Sequence, residues 1–409
     1  MLRKIFQKDL TKVLLSSFAS QGINIFTSLF LARFLSISQI GIIAGITAMV
    51  SLVGGIGCLR YNQAILIAEN KEECDTLFTL SLLISLFFFF FFLFGIIGTK
   101  IIKPELISEY GPYIYIAPLW SLTSIFSLTL NEVNVFHKRF DLFSKNNLLK
   151  AIVAFILHLP VVVFSNSILI PLLGKLLSEL VYFKGNFKIN IIKDFKKLAT
   201  ISKKYNQFPI HETPIQLMLL ISKNAIFFAY SFYYSNYALG LFSMAYRIFK
   251  IPHLIIGENV RRVIELKLKS KNSNEVFYYI NKTFLSLLAV SIILSVITYF
   301  SIPFVIPILL GKKWLKMAGY VYAFIPLIIL TLSIVPFLAY FKINGRLGII
   351  SFNNFLQLIA LIGCILIASR NSTPLEFALY YSLTSSICMT IIIVQYYYGY
   401  FRYKRLSHG

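Results

Sequence analysis

The sequence predicts an all-α polytopic membrane protein of about twelve transmembrane helices in two six-helix lobes, with both termini cytoplasmic. Three observations carry that expectation. Of 409 residues, 57% are hydrophobic and 13% charged, with a mean hydropathy of +0.76, far from the balance of a soluble domain. Runs such as "LFTLSLLISLFFFFFFLFGIIG" reach the roughly 20 apolar residues that cross a hydrocarbon core of about 30 Å, and they recur along the chain. The third observation is where the basic residues fall.

The apolar windows lie near residues 11–33, 40–60, 77–98, 112–136, 148–165, 167–183, 209–232, 238–260, 283–302, 317–340, 347–368 and 376–398. With the N-terminus inside, the inner segments hold about 26 Lys and Arg, the outer loops about 7 and the spans about 6, which fixes the orientation. The opening "MLRKIFQKDLTK" is basic and leads into a long span without a small-residue cleavage signal, so it reads as a retained first helix. The expected organisation is a lobe over 1–183, a basic amphipathic cytoplasmic linker over 184–208, a second lobe over 209–398 and a tail over 399–409.

In the linker, "KGNFKINIIKDFKKLATISKKYNQ", lysines alternate with Ile189, Ile192, Phe195, Leu198 and Ile201. This suggests an interfacial helix against anionic lipid. The two lobes are linked by a repeat: "SISQIGIIAGITAMVSL" follows the first span as "SNYALGLFSMAYRIFKI" follows the seventh, with Gly41 and Gly240 in register. Parallel repeats are a transporter device.

Cys58, Cys74, Cys364 and Cys388 show neither metal spacing nor a disulfide framework, and read as packing residues. The net charge of +23 follows the inner segments and not a nucleic-acid patch, so no nucleic acid is expected as a partner. Zinc-helix, GxSxG and Walker patterns are missing and the five histidines are dispersed. The chain therefore reads as neither an enzyme nor a primary pump, and no cofactor or metal is expected.

Charges at membrane depth need a partner, water or a function. In "GLFSMAYRIFKIPHLIIGENVRR", Ser243, Arg247, Lys250, Glu258 and Arg261 fall within about 80° of one another at 100° per residue. Arg247 and Lys250 are the leading substrate-contact candidates, the alternative being bonds to carbonyls or a neighbouring acid. Pro252 and Gly257 are expected to bend this helix. The seventh span places Glu212, Gln216 and Lys223 on one face, and the first span Ser17, Gln21, Asn24 and Ser28. Arg60 follows "GGIG" near the inner surface, where an anchor to lipid headgroups competes with a substrate contact. Lys175 and Glu179, at i and i+4, read as a structural pair. Lys223, Arg60, Gln21 and Asn24 complete the substrate-binding candidates; Glu258 and Glu212 are the candidates for ion coupling.

These residues resemble the polysaccharide-repeat-unit (O-antigen or capsule) flippases of the multidrug/oligosaccharidyl-lipid/polysaccharide exporter superfamily. The landmarks are "LFLARFLSISQIGIIA", "AILIAENKEE", "GLFSMAYRIFKIPHLIIGENVRR" and "LLGKKWLKMAGYVYAFIPL", and their order and spacing make the case. Where such proteins often carry a Gly-Pro-like turn after the first span, this chain has Ser36 and Ile37. The resemblance implies two lobes around a cationic cavity, alternating access in the bacterial inner membrane, and an undecaprenyl-pyrophosphate-linked glycan as cargo. It maps Arg247 and Lys250 onto that cavity, and Arg60 less closely. Partners implied besides cargo and anionic lipids are a polysaccharide polymerase and chain-length proteins. The rivals are a cationic-drug antiporter of the same superfamily, which needs acidic or aromatic groups at depth where this chain places basic charges, and a membrane glycan polymerase or ligase, which needs a sizeable outer loop.

Overall fold

The computed structural model describes residues 2–164, 167–183, 190–268, 273–368 and 372–408, and among these the only regular secondary structure is helical. Among the described residues, ten helical stretches are long and apolar enough to cross a membrane. They correspond to ten of the twelve expected spans. The first expected span is also helical, as α1 (Leu2–Phe34). The sixth is a short helix, Leu169–Glu179, with a 3-10 turn over Leu180–Phe183.

The chain forms two compact units, Met1–Asn224 and Ala225–Gly409. In the first unit, α2 (Ile37–Ile56), α3 (Lys71–Ile102), α4 (Ile116–Phe136), α5 (Phe140–His158) and α6 (Leu169–Glu179) follow α1. α5 packs between α1 and α6, while α4 touches α2, α3 and α6. The six-phenylalanine run Phe87–Phe92 on α3 is explained by its surroundings: Phe87, Phe90, Phe91 and Phe94 are all exposed, and lipid is the solvent that accepts such a face.

Among its described residues the linker is helical at α7 (Phe195–Lys204), capped by Asp194, which accepts from the Lys196 and Lys197 amides; residues 184–189 lie outside the described residues. Leu198 is buried, and the flanks are clasped to the start of α3. Lys197 pairs with Glu72 at 2.6 Å, and Lys204 with Glu73 at 2.6 Å and Glu69 at 2.9 Å. The Tyr205 hydroxyl donates to Glu73 at 2.7 Å. These carboxylates hold the Lys204 ammonium above the ordinary lysine range. Burial, aided by Glu73, pushes the Tyr205 phenol up to about 12. Phe195 and Ile191 are left exposed.

α8 (Thr213–Tyr233) runs from the first unit into the second, which continues with α9 (Asn236–Pro252), α10 (Glu258–Leu268), α11 (Ser273–Leu309), α12 (Met317–Ala323), α13 (Ile325–Ser333), α14 (Val335–Ile343), α15 (Leu347–Ala368) and α16 (Pro374–His408). The tenth expected span is thus three segments. Pro326 and Pro336 sit in the first turns of α13 and α14, where a missing N–H costs least and the previous segment must stop.

The repeat has a local cause. Ser36 caps α2, accepting from the Gln39 amide at 3.2 Å while Gln39 Oε1 takes the Ser36 amide at 2.7 Å. Ser235 caps α9 by accepting from the Ala238 amide at 3.2 Å. The turn at Ser36 and Ile37 therefore has a defined geometry without a Gly-Pro pair. Gly41 and Gly240 each lie five residues beyond their cap and both are buried. Side chains that satisfy the first turn's orphan amides are worth about 1 kcal/mol each.

Candidate functional site

Each unit holds its own group of membrane-depth cations. In the first unit, Asn147, Lys150, Ala151 and Ala154 share one face of α5, while Lys175, Ser178 and Glu179 share one face of α6 that continues to Tyr182. Small side chains at Ala151 and Ala154 leave room between the helices. The result is a half-open cavity of about 310 Å³, lined on its other sides by Ser20 and Asn24 of α1 and Trp120 of α4.

Glu179 is buried and receives two groups: Lys150 Nζ at 2.7 Å and Ser127 Oγ at 2.6 Å. Lys175 Nζ donates to Thr47 Oγ1 at 3.2 Å and lies 5.2 Å from the Trp120 ring centre. Lys150 lies 5.6 Å from the Tyr182 ring, whose hydroxyl donates to Asn147 Oδ1 at 2.5 Å. The expected i,i+4 partnership is thereby corrected: the close partner of Glu179 is Lys150 on a neighbouring helix. An apolar window starting at 148 puts Lys150 near a span end, whereas α5 begins at Phe140. Ten residues further along, Lys150 is about 15 Å up the helix.

In the second unit, α9 is fixed from behind by rings. Phe242 stacks on Tyr230 at 4.3 Å and Tyr246 at 5.7 Å, and meets Phe227 and Phe324 edge-on at 5.6 and 5.5 Å. Lipid tails are as apolar as the helix, so burial gives little drive. Ring pairs of about 0.5–1.5 kcal/mol each supply the specificity of this packing. That wedge leaves Arg247 and Lys250 half-buried on the other side. Lys250 Nζ sits 4.2 Å from the Tyr246 ring centre, with Tyr381 beside it. Among the described residues, Arg247 makes no hydrogen bond or ion pair. The acid partner considered for Arg247 is therefore not found.

The expected stripe breaks below Lys250. Pro252 lacks the donor that an α turn needs, and the chain responds with a π turn over His253–Gly257, the Glu258 amide bonding to the His253 carbonyl. One inserted residue rotates the next helical turns by about 100°. Glu258 and Arg261 therefore leave the face of Arg247 and form a separate ladder. Arg261 meets Glu258 at 2.6 Å, His253 lies 3.7 Å from Glu258, and Lys342 reaches Glu265 at 3.1 Å. Gly257 makes the turn possible, since a Cβ there would lie 2.7 Å from His253 Nδ1.

The remaining candidates are scattered through the first unit. Asn24 joins the cavity wall, which Gln21, half-buried one turn earlier, does not. Arg60 and Leu59 are held in the left-handed region at φ 62° and 48°, a strain of about 1–3 kcal/mol each. Arg60 Nε is buried without a hydrogen bond, and Glu132, a carboxylate within reach of its charge, accepts from Gln63 at 2.6 Å. Glu212 ends a second π turn, Phe208–Glu212, which contains Pro209, and is exposed, as is Lys223. Sequence reasoning misses the cavity residues Lys150, Trp120, Asn147 and Tyr182. Their signal is the shared face on α5 and the continuation of Lys175 and Glu179 to Tyr182.

Residues 30–319 match the polysaccharide biosynthesis protein family. The chain belongs to that family. The membership agrees with the resemblance seen in the sequence. No curated protein matches. Among solved structures, a lipid II flippase, MurJ, in an inward closed conformation is similar at a TM-score of 0.68 and 16% identity, covering 94% of this chain and 87% of that one. An inward-facing multidrug resistance MATE family transporter of the MOP superfamily is similar at 0.66 and 14%, covering 95% and 96%. A MOP superfamily transporter from Pyrococcus furiosus, described as having a binding pocket of reverse polarity, is similar at 0.59 and 15%, covering 98% and 96%. At these identities the likeness is one of fold. This member of the polysaccharide biosynthesis family is a multi-pass membrane protein with the MOP superfamily fold.

Proposed function

We propose that this protein is a flippase. Its cargo is an undecaprenyl-pyrophosphate-linked oligosaccharide repeat unit, moved by alternating access from the cytoplasmic to the outer leaflet of a bacterial inner membrane for O-antigen, capsule or a related surface glycan. The observation that carries this reading is Arg247, placed inside a span with no carboxylate bonded to it among the described residues and followed one turn later by Lys250. A pyrophosphate loses its hydration on leaving water, and fixed cations replace it. Arginine offers a planar fork to phosphate oxygens and lysine a point charge. Family membership supports the polysaccharide pathway, and the lipid II flippase of similar fold supports a lipid-linked load.

The chain acts as a carrier without chemistry in this reading, and a polymerase and chain-length proteins take up its product. A cationic-drug site calls for acidic or aromatic groups at this depth; rings are present beside Lys250, but the charges set here, Arg247 and Lys250, are basic and repel a cation. The test is a deletion strain with complementation. Loss of surface glycan, with lipid-linked units accumulating at the inner leaflet, is the expected result. Full surface glycan without the protein, in a strain lacking a redundant transporter, would sink the proposal.

A further inference from the structure

The first unit's cavity is not explained by helix packing. A structural ion pair is packed over by its neighbours, yet here a hollow of about 310 Å³ remains beside Lys150, Lys175 and Glu179. That is at the lower end of small-molecule sites, the scale of one sugar ring. Burying ionisable groups at membrane depth is costly enough that function is the default reading.

The charges around the hollow do not cancel, since two lysines face one carboxylate. Both Glu179 oxygens are engaged, one by Lys150 and the other by Ser127, so this acid is internal to the wall. Each ammonium carries three protons. The wall is therefore suited to a further carboxylate, while the amides of Asn24 and Asn147 suit hydroxyl groups. Tyr182 spends its own proton on Asn147 Oδ1, which aims that amide's donor end elsewhere. Trp120 and Tyr182 give the hollow apolar walls.

We propose that this cavity is a subsite for a carboxylate-bearing sugar of the carried glycan. The proposal rests on the flippase reading and names a chemical feature of its load. Lys175 and Lys150 receive the carboxylate and the two asparagines receive ring hydroxyls. The preference for an acidic over a neutral sugar comes from charge-assisted bonds formed out of water.

The chain supplies its own reporter, because Trp120 and Trp314 are its two tryptophans. Purified full-length protein in nanodiscs is titrated with glucuronic acid, glucose and inorganic phosphate while tryptophan fluorescence is read. The expected result is a saturable response to glucuronic acid that is about tenfold weaker for glucose and phosphate. Trp120→Phe should abolish the response, Lys175→Met should weaken it about tenfold, and Lys175→Arg should restore most of it. An equal response to glucose, an equal response to phosphate, or no saturable response overturns the proposal. In cells, Lys175→Met should lower glycan output and Lys175→Arg retain it; unchanged output with binding lost overturns the link to the carried glycan. Full surface glycan in the deletion strain together with intact glucuronic acid binding would remove the flippase reading alone.

Discussion

The two groups of membrane-depth cations differ in what compensates them. In the first unit, Lys150 has a carboxylate at 2.7 Å, and that carboxylate has Ser127 as well. In the second, Lys250 has the face of Tyr246, and Arg247 has no bonded partner among the described residues. A cation bound to an acid is part of the scaffold, whereas one facing only rings keeps its charge available. Removing Lys150 should therefore damage stability first, and removing Arg247 transport.

The largest expected effect on stability comes from Lys150→Met, which strands Glu179, whose side chain is 5% exposed. Breaking such a pair from one side costs about 3 kcal/mol, the low end for buried pairs because Lys150 is partly exposed. Pairing that change with Glu179→Leu should recover much of the loss. Thermal unfolding in detergent checks both; a double variant no better than Lys150→Met contradicts the scaffold role. Arg247→Ala orphans no acid, so its melting temperature should stay near wild type while glycan output falls about 10- to 100-fold, the worth of charged hydrogen bonds. Arg247→Lys should retain part. Wild-type output from Arg247→Ala at normal expression would reject the assignment.

A smaller effect concerns the paired caps. Ser36→Ala and Ser235→Ala should each cost about 1 kcal/mol, because both leave a first-turn amide unsatisfied. Similar losses in the two units would sharpen the repeat; a loss in one alone would argue that the caps are not equivalent.

The mildest perturbation is pH acting on the α7 clasp. Lys204 and Tyr205 both have folded values above their unfolded ones. Their stabilisation is complete below about pH 10 and fades as pH rises through the folded values, which for Tyr205 is about 12. Hydrogen exchange of α7 should stay slow at neutral pH and quicken above pH ~10, with Glu73→Gln moving α7 to the fast regime at neutral pH. Unchanged exchange in that variant would show that Leu198 and the remaining pairs with Glu72 and Glu69 hold the helix without Glu73.

Much of the fold is legible in the chain alone. Composition, span length and the inward bias of lysine and arginine are properties of the chain read against a bilayer, and they do not depend on which helix touches which. Ser36 and Ser235 are visible as a repeat for the same reason, since a cap is a local device. Arg247 and Lys250 are visible because a cation in an apolar run is conspicuous whatever surrounds it.

Tertiary structure decided the partners. Glu179 selected Lys150, twenty-nine positions away, over Lys175 four residues before it, because adjacency on one helix does not bring two ends together when a neighbouring helix offers a closer ammonium. The phase of the eighth span was decided at His253–Gly257, where Pro252 and Gly257 permit a π turn that a fixed 100° period does not contain. The hollow beside Lys150 is set by two alanines on one helix and the distance to three others. Periodicity could place each lining residue on a face; only packing could show that those faces meet around a space.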